Sequence, residues 1–225
     1  MIEIEILRTY SKGVDLSEAL ELAKGRTMPT NLQMDAIIQD ETQGKKYASA
    51  LPCRTGTFMI NESADTPFGE YVTFGKLVFD VPAEYQGKKD MALILKHPDV
   101  TLEKGVYGLS VVKGAVVHVV ENYPQQGGWY QVDPETGIPC GDTCSSRDPD
   151  ARYLYRDEDQ AFIGPVARWG DVFDDGYRRD VGAYWRPDWT LGVVVLVKET
   201  SAKPKKDLKT AHLEPTVNAV GQPKE

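Results

Sequence analysis

Leu191–Val197 reads LGVVVLV, the most apolar run of the chain and one without a charge. Four of its seven residues are valine, whose branched Cβ favours a strand over a helix. No polar residue alternates with the apolar ones, so the predicted strand is covered on both faces, as in the middle of a sheet. Just upstream, AFIGPVARW (Ala161–Trp169) and YRRDVGAYW (Tyr177–Trp185) are two more strand-like runs, separated by turn-forming acidic residues. Ala161–Val197 is therefore predicted to supply three consecutive strands that close a β-rich core.

Working outward, the segment from Thr55 to Tyr123 has the same character. TFMI (Thr57–Ile60), YVTF (Tyr71–Phe74), KLVFDV (Lys76–Val81), MALILKH (Met91–His97), YGLSVV (Tyr107–Val112) and AVVHVVENY (Ala115–Tyr123) are strand-like. Turn formers separate them, and such short spacings favour antiparallel hairpins over βαβ units. Lys113–Gly114 in VVKGAVV suits a two-residue hairpin turn. At the N-terminus, Ile2, Ile4 and Ile6 alternate with Glu3 and Glu5, the pattern of a half-buried strand.

Two short helices are expected between residues 15 and 40. Asp15–Lys24 has Asp15 and Glu18 at capping-box spacing, an apolar face of Leu16, Ala19, Leu20 and Ala23, and Gly25 as a C-terminal stop. Thr30–Gln39 repeats the spacing with Thr30 and Gln33. Gln125–Arg152, rich in proline, glycine, aspartate and serine, reads as a long loop of the functional or poorly ordered kind.

The bulk numbers bound the function. The 225 residues are 41% hydrophobic and 27% charged, enough for a core without disulfides. A net charge of −8 argues against a nucleic-acid partner. No apolar run reaches the roughly 18 residues of a membrane span. The first residues lack the basic and apolar regions of a secretory signal, and three cysteines make no disulfide framework. A cytoplasmic chain is the expectation. Lys198–Glu225 holds six lysines and four acids, which leaves −10 on residues 1–197 out of the chain's −8. Its few large apolar residues predict a flexible tail.

Candidate chemistry is sparse. The segment Asp133–Asp159 offers Asp133, Glu135, Asp142, Asp148 and Asp150 as oxygen ligands for a hard cation, but not at EF-hand spacing. Cys53, Cys140 and Cys144, with His97, His118 and His212 scattered, do not form a zinc pattern. His118 shares a strand face with Val116 and Val120 and reads as a satisfied, half-buried histidine. Arg178 and Arg179 sit among Asp171, Asp174, Asp175 and Asp180, a surface ion-pair cluster or interface rim. Trp129, Tyr130, Trp185 and Trp189 are the aromatic candidates for stacking on a partner. Neither a nucleophile elbow nor a phosphate-cradling glycine motif occurs.

The sequence therefore predicts a mainly β protein. Residues 1–197 form one antiparallel, barrel- or sandwich-like domain with two short N-terminal helices, followed by a flexible tail over 198–225. The leading function is a non-enzymatic structural or protein-binding subunit, with a protein partner or self-association and no cofactor. The alternatives are a metal-dependent hydrolase using carboxylates of residues 133–159 and a carbohydrate-binding module using exposed tryptophans.

Overall fold

The computed structural model describes residues 2–48, 50, 52–75, 77–102, 109–111, 115–148, 150–169, 172–173, 176–177, 180–183 and 190–199. Strand outweighs helix, 42% against 18%, so the fold is mainly β. In chain order the elements are β1 (Ile2–Arg8), α1 (Leu16–Leu22), α2 (Asn31–Gln39), α3 (Glu41–Ala48), β2 (Cys53–Asn61), β3 (Tyr71–Phe74), β4 (Leu77–Asp80) and β5 (Met91–Lys96). Then follow β6 (Val100–Leu102), β7 (Leu109–Val111), β8 (His118–Glu121), β9 (Gly128–Val132), β10 (Pro139–Thr143) and β11 (Arg152–Arg156). The last are β12 (Phe162–Trp169), β13 (Val172–Phe173), β14 (Gly176–Tyr177), β15 (Asp180–Ala183) and β16 (Gly192–Glu199).

The main sheet runs β1-β16-β2-β12-β15-β11-β9-β10, and β5 joins it at β2 with β8 beyond. All of its pairings are antiparallel except β11 with β15 and β16 with β2. Among the described residues three two-stranded ribbons, β3–β4, β6–β7 and β13–β14, are not hydrogen-bonded to it, and β3–β4 packs on β12 through Phe74 and Phe162.

The hub is β2. One of its edges pairs with β12 over its whole length. The other is shared, with β16 at Cys53–Arg54 and β5 at Thr57–Ile60. All nine residues of β2 are buried, although its first five are CRTGT. Burial of these polar groups is tolerable because each finds a partner. Arg54 Nη1 donates to the Val14 carbonyl at 2.6 Å, and Thr57 Oγ1 accepts from the Asn31 N–H at 2.9 Å. Burial lowers the Arg54 pKa to about 10 against the opposing pull of Asp15 and Cys53. Gly56 donates to the Pro29 carbonyl at 2.7 Å, and a Cβ there would lie 2.1 Å from the Met28 carbonyl oxygen. Only glycine lets the chain before α2 cross β2 so closely.

The run Leu191–Val197 behaves as its composition requires. Leu191 to Val195 are buried and the strand is paired on both sides, while Val197 at its end is 54% exposed. In the sheet it is separated from β12, with β2 lying between them.

Asp15 caps α1 through the Glu18 N–H at 2.9 Å, and Gly25 follows the helix at φ 72°. Thr30 and Gln33 form the full capping box on α2. A third helix, α3, was not expected. Asp40 Oδ1 accepts from the N–H groups of Thr42 and Gln43 and starts it. Tyr47 of α3 is buried in a small second core with Ile4, Met34, Ile37, Cys53 and Val194, which fixes α2 and α3 to the β1–β16 end of the sheet.

One other expectation is corrected. Residues 125–152 are not a loop, because β9 and β10 form a hairpin within them and β11 follows. Near the hairpin expected at Lys113–Gly114, β7 pairs with β6 and β8 with β5. The turn itself, and residues 200–225 of the predicted tail, lie outside the described residues.

The pairing order runs from β8 through β5, β2, β12, β15, β11 and β9 to β10. The sheet does not close into a barrel. Between β8 and β10 the backbone link is the Gly141 N–H to the Asn122 carbonyl at 2.8 Å.

Candidate functional site

Among the described residues, two regions are considered for recognition. The first is the outer face of β9 and β11. Along β11 Leu154 is buried while Tyr153 and Tyr155 are half-buried, so the tyrosines face away from the core. On β9 the same alternation buries Tyr130, whose hydroxyl donates to the Gln126 carbonyl at 2.9 Å, and turns Trp129 outward. Trp129 lies opposite Tyr153 in the register. Their ring centroids are 5.5 Å apart at 75°, and those of Tyr153 and Tyr155 are 4.7 Å apart at 60°. This is an edge-to-face ladder, not a flat platform.

The ladder ends at the acidic turn Asp157–Glu158–Asp159, and Tyr155 to Asp159 together border a shallow hollow. Arg156 pins the base of that turn. Its guanidinium donates to the carbonyls of Pro124 and Glu62 and lies 5.0 Å from the centre of the Tyr123 ring. Burial pushes the Tyr123 phenol well above its usual range, and it raises Glu62 as well.

The second region is a cleft of about 330 Å³ at the open seam, between β5, β8, the start of α2 and the β9–β10 turn. The turn is rigid, because Asp133 Oδ1 accepts from the N–H groups of Glu135 and Thr136 and from the Thr136 hydroxyl. Gly137 completes it at φ 71°. Glu135 is thereby held with Oε2 3.7 Å from His118 Nδ1 on β8, an ion pair whenever the imidazole is protonated.

The carboxylates predicted as cation ligands are placed apart in role. Asp133 shapes the turn and Glu135 faces His118. Asp148 accepts from the Asp150 N–H and from Gln131 Nε2 at 2.6 Å. Asp142 and Asp150 are exposed. Among the described residues no group of three or more His, Cys, Asp or Glu is arranged to hold a metal ion. None of the three cysteines is in a disulfide; Cys53 is buried against the Tyr47 hydroxyl, and burial pushes the Cys140 thiol up. Of the predicted aromatic and basic contacts, Trp129 joins the ladder and Tyr130 belongs to the core. Trp185, Trp189, Arg178 and Arg179 lie outside the described residues.

Sequence reasoning did not find Tyr153 and Tyr155, because β11 was not recognised as a strand. The cleft was equally hidden: Lys96, His118 and Glu135 come from three separate segments. Comparison with models of protein families, with curated proteins and with solved structures finds no match. Among the described residues no helix is long and apolar enough to cross a membrane.

Proposed function

We propose that the chain is a non-enzymatic, protein-binding subunit that associates with further copies of itself through the outer face of β9 and β11. The observation that carries this reading is the ladder Trp129–Tyr153–Tyr155 ending at Asp157–Asp159. Aromatic side chains give much contact area at low entropic cost and dominate binding energy at protein interfaces. Rings at 75° and 60° to one another present edges and a ridge. A sugar ring stacks on a flat aromatic face, so this relief suits the side chains of a protein better than a glycan. The acidic end selects a partner with ammonium or guanidinium groups. The lysines of residues 198–225 in a neighbouring copy have that chemistry.

Sedimentation equilibrium of Trp129→Ser and of Asp157→Asn/Asp159→Asn tests the reading. Both variants are expected to keep their secondary structure and to weaken self-association by about tenfold or more. A wild-type chain that stays monomeric up to roughly 1 mM, or variants that associate as well as wild type, would overturn it.

A further inference from the structure

We propose that the seam cleft is a binding site for a small hydroxylated organic anion, a carboxylate of the sugar-acid class. The cleft lies where β5 and β8 meet the β9–β10 turn and the start of α2, a concave site with an apolar floor and polar walls. A volume of about 330 Å³ accommodates a molecule of that size and little more. The floor is made by Met28, Ile94 and Leu95, all buried, so the cleft ends against the core and does not lead through it.

The reachable walls decide the ligand class. They carry Thr27, Thr30, Gln33, Lys96, His118 and Glu135. Gln33 and Thr30 hold each other in the capping box of α2, so it is the hydroxyls of Thr27 and Thr30, which donate as well as accept, that match a ligand bearing hydroxyls. Three charged groups set its sign. Glu135 lies 3.7 Å from His118 and is committed to it when the imidazole is protonated. Lys96 is exposed and, among the described residues, has no carboxylate within ion-pair distance. The charge left over is therefore the Lys96 ammonium. The first turn of α2, where Thr30 and Gln33 stand, adds the partial positive end of the helix. Among the described residues of the lining, a cation finds one carboxylate, already faced by His118, whereas an anionic head finds the Lys96 ammonium.

Calorimetric titration with gluconate, glucose and inorganic phosphate tests this, with the His118 ring resonances followed by NMR. Gluconate is expected to saturate and to shift the His118 signals. Glucose, with hydroxyls alone, and phosphate, with charge alone, are each expected to bind about tenfold more weakly or worse. Lys96→Gln and His118→Gln are each expected to weaken gluconate by about tenfold. Lys89→Gln, which removes an exposed lysine beside Asp65, leaves binding unchanged. Two independent cleft variants guard against one failing to fold, and thermal unfolding confirms each. The proposal falls if gluconate gives no saturable signal, or if both cleft variants bind it as wild type does. Phosphate equal to gluconate would remove the hydroxyl requirement, and glucose equal to gluconate would remove the anion requirement; either overturns the assigned class. None of these readings depends on self-association, so the two proposals fail separately.

Discussion

His97 shows how a single side chain sets the response to acid. It is 8% exposed, and Nδ1 is buried without a hydrogen-bond partner. Burial holds the imidazole below its ordinary pKa, so the folded chain takes up a proton there less readily than the unfolded one. The unfolded chain protonates it near pH 6.5. Below that pH the unfolded state binds the extra proton first, so stability falls as pH drops from the unfolded value towards the lower folded one. The contribution is fully present above about pH 7. His97→Gln is expected to remove that part of the acid sensitivity. Thermal unfolding of both chains between about pH 7.5 and 5 measures it, and parallel pH profiles would show that His97 is not the cause. Sequence alone does not reveal this, because His97 is the last residue of the predicted strand Met91–His97 and that pattern does not say whether its imidazole meets the core or water.

Strands differ in how plainly their sequences announce them. β3 was legible residue for residue, since Tyr71 and Thr73 face out while Val72 and Phe74 face in. β16 was legible from its valines. Because Val194 is fully buried in the second core, Val194→Asp places a charge where neither water nor a partner reaches it. The expected result is loss of the cooperative unfolding transition and insoluble expression. A soluble variant that melts like wild type would contradict the placement of β16 between β1 and β2. The first half of β2 was illegible for the opposite reason: CRTGT reads as polar, and its burial depends on Val14 and Asn31, distant in sequence. β9 and β10 were masked by the glycines and prolines that shape their ends. The ETQGKKYA of α3 shows no strong apolar stripe, and Tyr47 is its one large buried anchor. The candidate sites inherit these limits, because an aromatic ladder becomes visible only once β11 is known to lie beside β9.

At the scale of the whole chain the matter is charge and edges. β1 ends the sheet, and a bare edge would invite pairing with another chain. Here Gln43 Oε1 accepts from the Ile4 N–H at 3.2 Å, and Arg26 pairs with Glu5 at 2.7 Å, so the edge is guarded by side chains. Strand addition at this edge is thereby disfavoured, and the contact proposed above uses the ladder face with its acidic end instead. Residues 1–197 carry −10, and residues 198–225 carry six lysines against four acids. Such attraction between copies is weak and is screened over about 10 Å at 0.1 M salt. β16 ends at Glu199, which pairs with Ile2, so a chain cut after Thr200 keeps the whole β1–β16 ladder. Deleting Ser201–Glu225 is therefore expected to leave the melting temperature within a few degrees of wild type and to weaken self-association at low salt by roughly the amount that high salt does. Thermal unfolding and sedimentation of the full and shortened chains at two salt concentrations decide it. A large loss of thermal stability would make 201–225 an integral part of the fold, and sedimentation that is indifferent to both salt and deletion would remove the lysines from the interface.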